Sequence, residues 1–221
     1  MSGSEEPMTC VPPPPPSPLT ELRRFFDEQA QWWDERVRPM EEHWLFKRWF
    51  ESLELSRGAR VLEIGCGTGR LLPHLGGALA GDGGLAAAVD LSARMLAAAA
   101  ARLRVTGAQQ VALCQAEAAR LPWRSELFDV VLYVNTFPHL RPFEAALAEC
   151  RRVLRRAGRV HIVHFAGREH INAIHAAHGG AVAGDLLPAA EELGALLVTL
   201  GFGLLRTEES DDHYWVAAVR T

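Results

Sequence analysis

The chain has 221 residues, of which 48% are hydrophobic and 23% are charged, and its formal net charge at pH 7 is -4. This composition is that of a folded globular protein with a large core, and it excludes a disordered or collagen-like chain. Because 27 acidic residues face 23 lysines and arginines, no overall positive field favours nucleic acid as a partner.

Cysteine spacing and hydropathy indicate the compartment. The 4 cysteines form no C-x-x-C pair, and free thiols in a reducing compartment are the simplest interpretation. No apolar run approaches the roughly 20 residues that a membrane span needs, and the amino terminus lacks the apolar core of a signal peptide. The sequence therefore predicts a cytoplasmic protein with no membrane partner.

The amino-terminal residues 1–18 form a proline-rich tail that includes the run VPPPPPSP. A segment of this kind cannot build a core, and it is typical of a disordered or polyproline II spacer. A docking ligand for the groove of a partner protein is the alternative. The spacer is the interpretation that we prefer.

Residues 19–55 are predicted to form a helical cap of two helices. The first carries aromatic residues at helical spacing as far as Trp33, and Pro39 can lie in the first turn of the second. Four of the 6 tryptophans fall between Trp32 and Trp49. These rings either pack the helices onto the domain or form a lid that closes a pocket.

A glycine-rich turn organises the remaining residues, 56–221, which are predicted to form one α/β domain. The stretch from Arg60 to Leu75 reads RVLEIGCGTGRLLPHL: a short apolar run, a turn with three glycines and a helical pattern. Strand, glycine turn and helix begin a βαβ unit, and the glycines let the backbone approach a ligand closely.

Two residues in this turn argue against a dinucleotide. The third glycine of a G-x-G-x-x-G fingerprint would fall on position 70, which is Arg70. Glu63 stands before the first glycine, where its carboxylate would repel a pyrophosphate and attract an ammonium group. S-adenosylmethionine, a nucleoside that carries an amino acid, suits this turn better, and a nicotinamide-dependent oxidoreductase is disfavoured.

Two further carboxylates follow the next predicted strands. Asp90 ends the strand LAAAVD about 20 residues beyond the turn, where doubly wound folds place a carboxylate on ribose hydroxyls. A helix cap at the end of the strand is the alternative role for Asp90. Glu117 lies just past the strand Val111 to Cys114, where it can accept a hydrogen bond from an adenine amino group.

The next strands bring histidines toward the same edge of the sheet. His139 lies in the loop NTFPHL that follows the fourth predicted strand. A helix is predicted from Glu144 to Leu154, with Gly158 as the glycine that terminates it. The fifth strand, from Arg159 to Phe165, carries His164 near its end. A helix opened by Pro188 and two antiparallel strands, FGLLRTEES and HYWVAAVR, complete the domain.

Taken together, these blocks resemble the class I S-adenosylmethionine-dependent methyltransferases, and in particular their small-molecule branch. The resemblance spans Leu55 to Arg220 and rests on blocks in the expected order: VLEIGCGTG, AAVDLS, QAEAARLPW, FDVVLYVNTFPHL and ECRRVLRRAGRVHIVHF. It implies a Rossmann-like α/β fold whose seven-stranded sheet has the order 3-2-1-4-5-7-6. Strand 7 would be antiparallel, helices would flank the sheet, and the amino-terminal helices would form a lid.

The resemblance also implies which residues bind S-adenosylmethionine. The glycines of the turn would hold the methionine end of the cofactor, and the carboxylate after strand 2 would bind its ribose. The two residues after strand 3 would bind its adenine, and an asparagine would line the floor below the sulfonium. The expected cofactor residues are Glu63, Gly65, Cys66, Gly67, Gly69, Asp90, Leu91, Glu117, Ala118 and Asn135.

His139 and His164 are the candidates for a general base, because both lie at the carboxyl ends of strands beside the expected methyl position. A base is needed when the acceptor is a hydroxyl or a protonated amine. His161 and His164 are separated by three positions on one strand, so they point to opposite faces of the sheet.

The segment between Phe165 and Pro188 adds His170, His175, His178 and Asp185. Two of these histidines, at i and i+3, could share a helical face and bind a metal ion. A substrate-side loop with hydrogen-bonded histidines is the preferred interpretation, so no metal ligand is predicted.

The sequence thus predicts an S-adenosylmethionine-dependent methyltransferase that moves a methyl group to a small-molecule acceptor by in-line displacement. The alternatives are a protein or nucleic-acid methyltransferase, which the charge disfavours, and a regulatory protein that binds S-adenosylmethionine without turnover. The fold does not name the acceptor.

Overall fold

The computed structural model describes residues 18–37, 39–80, 83–108 and 111–221. Nearly all of the predicted proline-rich tail lies outside these residues. Its last residue, Pro18, begins the first helix.

Seven strands form one mixed sheet with the order β3-β2-β1-β4-β5-β7-β6. Strands β1 to β5 pair in parallel, and β7 is antiparallel to both β5 and β6. The predicted fold class and strand order are therefore confirmed. The strands are β1 Arg60–Ile64, β2 Leu85–Asp90, β3 Val111–Gln115, β4 Phe128–Val134, β5 Leu154–His164, β6 Phe202–Glu209 and β7 Tyr214–Arg220.

Helices cover both faces of the sheet. None of the helices in the described part of the chain combines the length and apolar composition that a bilayer crossing requires. The helices are α1 Pro18–Gln29, α2 Trp33–Arg36, α3 Trp44–Ser52, α4 Leu72–Ala78, α5 Ala93–Thr106, α6 Phe143–Val153, α7 Arg168–His178 and α8 Ala190–Thr199.

Alternating side chains of the central strands divide the core into two clusters, because successive residues of a strand point to opposite faces. Leu62 and Ile64 of β1 belong to the cluster that α6, α7 and α8 cover, whereas Val61 belongs to the cluster under α3, α4 and α5. Parallel strands that are buried on both faces have continuous apolar sequences, which explains why β1, β2 and β4 can be predicted from the sequence.

The amino-terminal segment differs from the predicted pair of helices. The first helix ends at Gln29, and Trp33 begins a separate short helix, α2. Pro39 does not lie in the first turn of an α-helix; it precedes the 3-10 turn Met40–Glu42, and α3 begins at Trp44. Helical spacing predicts which residues share a face, but it does not show where the backbone turns.

Helix α3 is part of the domain core rather than a detached cap. Leu45 and Trp49 are fully buried in the second core cluster. On the outer side, the Trp44 Nε1–H donates to Asp212 Oδ2 at 2.9 Å and joins α3 to the β6–β7 connection. This part of the tryptophan-rich segment therefore packs the helix onto the sheet.

The fifth strand begins at Leu154, five positions before the predicted start at Arg159. Phe128 pairs with Leu154 and Val130 with Arg159, so the intervening residues of β5 form an irregular bulge. Gly158 lies in this bulge and does not end α6, which finishes at Val153. Regular pairing with β4 begins at Arg159, and residues 160–164 are buried without interruption.

Candidate active site

A cavity lies at the carboxyl ends of the central strands, under the amino-terminal helices. Its floor comes from the ends of β1 and β2, the residues after β3 and the residues after β4. Ligands bind at this edge of open α/β sheets because the loops there diverge. Residues of α1, of α2 and of the stretch that follows as far as the 3-10 turn form the opposite wall: Leu19, Leu22, Phe26, Trp33, Val37 and Met40.

The turn after β1 is shaped by glycines in the left-handed region. Gly65 has a φ of 71° and Gly67 a φ of 53°, which L-residues with a side chain rarely adopt. A Cβ on Gly65 would collide with the side chain of Thr136, whereas one on Gly67 would meet only the Trp33 Nε1 at 4.0 Å. The turn therefore presents bare backbone to the cavity.

Glu63 supplies a buried carboxylate, one oxygen of which has no hydrogen-bond partner among the described residues. Its side chain lines the cavity and the residue is only 3% exposed, and no described residue makes a hydrogen bond with its Oε2. Burial, and secondarily the nearby charge of Asp90, raise the pKa of Glu63 to about 8. A cationic group in the cavity would supply the missing partner.

Asp90 is the second carboxylate of the floor, and it also organises the turn. One oxygen accepts from the Gly67 backbone N–H at 2.8 Å and the other from the Ser92 N–H at 2.9 Å. Burial raises the pKa of Asp90, while these backbone donors lower it. The carboxylate lines the cavity, as predicted from the position of Asp90 at the end of β2.

The remaining predicted cofactor residues fall into two groups. Cys66, Leu91, Glu117, Ala118 and Asn135 all line the cavity. Gly69 does not, because it lies against α5, where a Cβ would approach that of Ala99 to 2.8 Å.

Asn135 is also a structural link between two strands. Its Oδ1 accepts from the Phe165 N–H at 3.0 Å, which ties the end of β4 to the end of β5. Its φ of 52° lies in the left-handed region, which asparagine tolerates better than most residues.

Two aspartates hold the amino-terminal segment over the cavity. Asp27 of α1 accepts from the Ser92 hydroxyl at 2.6 Å and from the Arg94 N–H at 3.2 Å. Asp34 of α2 accepts from the Thr68 hydroxyl at 2.6 Å and from Arg70 Nε at 3.0 Å, and it also pairs with Arg102. The two helices are thus fastened to the glycine turn and to the start of α5.

His139 lies in the 3-10 turn Phe137–His139 and lines the cavity. Its Nδ1 is 2.8 Å from Asp185 Oδ2. The ring of Phe26 packs edge-on against the imidazole, with centroids 5.0 Å apart. This predicted residue therefore joins the cavity wall.

His164 lies deeper and does not line the cavity. It is 3% exposed at the end of β5, and burial lowers its pKa to about 3, so the ring is neutral at physiological pH. His161 lies on the opposite face of the sheet and stacks on Trp215, as the spacing predicts. Among the described residues, no group of three or more metal-binding side chains has an arrangement that could hold a metal ion.

Several residues around the cavity had no signal in the sequence. Asp27 and Asp34 read as ordinary charges on a helix, and Asp185 appeared only as a neighbour of the histidine-rich segment. Their partners lie 65, 34 and 46 positions away along the chain. No local pattern could have paired them.

Comparison with known proteins finds similarity to methyltransferases. Residues 62–162 match a family model described as a methyltransferase domain. The chain is 37% identical over 113 residues to a phosphatidylethanolamine N-methyltransferase of Cereibacter sphaeroides, an alignment that covers 50% of this chain and 53% of that protein. It is 26% identical over 177 residues to the ubiquinone/menaquinone biosynthesis C-methyltransferase UbiE of Shewanella halifaxensis, with coverages of 79% and 64%.

Among solved structures, the chain resembles a SAM-dependent methyltransferase from Aquifex aeolicus. The TM-score is 0.72 at 21% identity, and the alignment covers 88% of this chain and 98% of that one. At this identity the likeness concerns the fold. The chain spans between about half and two thirds of the length of the two curated relatives.

Proposed function

Because residues 62–162 match a methyltransferase-domain model, we propose that the chain belongs to the class I S-adenosylmethionine-dependent methyltransferase family and transfers a methyl group from S-adenosylmethionine to a small-molecule acceptor. The observation that carries the proposal is the buried Glu63 side chain beside the glycine turn, whose Oε2 has no hydrogen-bond partner among the described residues. A buried polar atom without a partner is costly. The ammonium group of the methionine moiety would satisfy it.

The other residues of the floor fit the same cofactor. The bare backbone of Gly67 would leave room for the methionine chain, and Asp90 would offer carboxylate oxygens to the ribose hydroxyls. Leu91, Glu117 and Ala118 lie beyond Asp90, where the adenine would be held. When bound, the cofactor supplies a methyl group on a positively charged sulfur, and two nearby carboxylates favour that charge.

The cavity favours a small acceptor. Its outer wall is the α1–α2 segment, which covers the floor and brings apolar side chains such as Phe26 and Trp33 to the cavity. The names of the two relatives refer to phosphatidylethanolamine and to the biosynthesis of ubiquinone and menaquinone, none of which is a protein or a nucleic acid. The net charge of -4 gives no support to a nucleic-acid acceptor.

We assign the general-base role to His139 where the acceptor carries a proton that must leave. Its imidazole lines the cavity, whereas His164, the other predicted base, is held neutral behind the cavity wall. His164 would support the wall that carries His139. We also propose a cytoplasmic location, which is supported by the free thiols of Cys66, Cys114 and Cys150.

Calorimetry with S-adenosylhomocysteine and NAD tests the cofactor. We expect S-adenosylhomocysteine to bind at one site with a micromolar dissociation constant, which corresponds to about -8 kcal/mol, and NAD to give no binding heat. Binding of NAD in preference to S-adenosylhomocysteine would falsify the proposal.

A further inference from the structure

The His139–Asp185 pair joins two segments that the fold brings together near the cavity. His139 follows β4, and Asp185 lies between α7 and α8, 46 positions later. The side chains are only 12% and 13% exposed, so the 2.8 Å contact between Nδ1 and Oδ2 is largely shielded from water. A shielded hydrogen bond to a carboxylate is stronger than one in bulk solvent.

The contact determines which ring nitrogen of His139 is free to act. A carboxylate can only accept a hydrogen bond. Nδ1 must therefore carry the hydrogen, as an N–H group that donates a hydrogen bond to Asp185. In the neutral ring, Nε2 then bears the lone pair. No described residue makes a hydrogen bond to His139 Nε2, and the ring lines the cavity.

Helix α7 holds Asp185 in place from two sides. The backbone oxygen of Asp185 is 2.5 Å from His175 Nδ1. Two residues further on, the Leu187 N–H donates to Asn172 Oδ1 at 2.8 Å, and the Leu187 oxygen accepts from Asn172 Nδ2 at 3.2 Å. The backbone that carries this carboxylate is therefore anchored to α7, which is how a positioning residue is kept rigid.

We infer that Asp185 is a positioning residue that orients His139 as a base, and that the acceptor is a planar molecule whose ring hydroxyl loses its proton to Nε2. This inference rests on the proposed methyl transfer. A planar acceptor fits the wall beside the base, where Phe26 and Trp33 both line the cavity and pack edge-on with centroids 5.8 Å apart. An aromatic acceptor can pack against these rings in the offset-stacked or edge-on arrangements that aromatic pairs prefer.

The hydroxyl is one of the two acceptor groups that need a base, the other being a protonated amine, whereas a thiol needs one less. A phenolic hydroxyl ionises at a pKa of about 10, so it is mostly protonated at neutral pH, whereas a thiol ionises at about 8.5 or lower on an aromatic ring. In the step, the O–H bond breaks and the proton goes to Nε2. The electron pair released forms a bond to the methyl carbon, from oxygen or from the adjacent ring carbon, while the carbon–sulfur bond breaks with its pair on sulfur. Solvent later takes the proton from Nε2.

Two readouts on the full chain test the inference. The first is the ¹⁵N spectrum of the histidine-labelled protein with S-adenosylhomocysteine, in which His139→Gln identifies the His139 signals. We expect the Nδ1–H tautomer in the parent protein and a mixture of tautomers in Asp185→Asn. An Nε2–H tautomer in the parent protein, or an unchanged spectrum in the variant, contradicts the role of Asp185.

The second readout compares 2-naphthol with 2-naphthalenethiol, which share a ring and differ in the acceptor atom. We expect Asp185→Asn and His139→Gln to slow methylation of the naphthol by about 10²-fold and methylation of the thiol by less than about threefold. Asp185→Glu should restore part of the naphthol rate, and Glu144→Gln, an exposed carboxylate on α6, should change neither rate. Product analysis separates transfer to oxygen from transfer to carbon.

The outcomes distinguish this inference from the proposed function. Equal losses with both probes would reduce Asp185 to a structural role. Methylation of neither probe by a parent protein that binds S-adenosylhomocysteine would overturn the planar hydroxyl while leaving cofactor binding intact. Failure of the parent protein to bind S-adenosylhomocysteine would instead overturn the proposed function.

Discussion

The carboxylate of Asp27 accepts a hydrogen bond from the hydroxyl of Ser92 at 2.6 Å. Ser92 is the N-cap of α5, where its oxygen also accepts from the Met95 N–H at 3.0 Å. Because Ser92 stands two residues after Asp90, this contact fastens the covering helix α1 directly to the cofactor side of the cavity. Movement of α1 therefore has to break a bond at the site itself.

Substitution of Asp27 by alanine should loosen this cover. Loss of a hydrogen bond to a charged acceptor costs about 1–2 kcal/mol, so we expect S-adenosylhomocysteine to bind about 5–30-fold more weakly. Amide hydrogen exchange across residues 18–29 should become faster. Glu28→Ala is the matched control, since Glu28 is exposed and its one ion pair within the described part of the chain is with Arg24, at 3.8 Å. Equal effects of the two substitutions would show that α1 does not depend on Asp27.

Binding of the cofactor should release a proton from Glu63. Its pKa is raised to about 8, so the carboxyl is protonated at pH 6–7, whereas an ammonium partner requires the carboxylate. The affinity for S-adenosylhomocysteine should therefore increase from pH 6 to pH 8, by up to about tenfold per pH unit at the acidic end. Calorimetry in buffers with different ionisation enthalpies measures the released proton.

Glu63→Gln provides the control for this pH dependence. The variant should bind more weakly at pH 8, and its affinity should vary little between pH 6 and pH 8. Cys66 in the same turn does not contribute, because burial keeps its pKa well above this range. A parent protein with equal affinity at both pH values would contradict the role of Glu63.

Asp90→Ala should weaken cofactor binding more than Glu117→Ala does. Asp90 is buried and anchors the turn through Gly67 and Ser92, so its loss should cost about 1–3 kcal/mol of binding energy. Glu117 is exposed, and the loss of a solvated acceptor should cost less. Equilibrium titration with S-adenosylhomocysteine measures both, and the melting temperature shows whether the variants remain folded. Parent-like binding by both variants would place the cofactor elsewhere.

A methyl group on Gly65 should disrupt the turn, whereas one on Gly77 should be tolerated. Gly65 has a positive φ, and a Cβ there would collide with Thr136, so Gly65→Ala should lower the free energy of unfolding by more than about 1 kcal/mol. Gly77 lies in α4 with open space around its Cα. Gly77→Ala should stabilise the protein by up to about 1 kcal/mol through helix propensity. Urea denaturation compares the two, and similar stabilities would contradict the close approach at Gly65.

The elements that could be predicted from the sequence are those whose signal is local. The apolar runs of β1, β2 and β4, the glycine turn and the two final strands all depend on neighbouring residues. The end of α1 at Gln29 and the start of β5 at Leu154 could not be predicted. The chain turns after Gln29 where it covers the cavity, and β5 begins with a bulge against Phe128. At both places, packing against distant residues overrides the local pattern.

The sequence alone determined the family resemblance, and the resemblance implied the strand order. The sequence also indicated the carboxylates Glu63, Asp90 and Glu117, because they lie at the glycine turn and at strand ends, which are near one another in any fold of this type. Only the tertiary structure decided which charges meet across long stretches of chain. It joined His139 to Asp185, attached Asp27 to Ser92, and left His164 behind the cavity wall. Such contacts show no period and no fixed spacing in the sequence. They depend on which loops lie side by side at one edge of the sheet once the strands have paired.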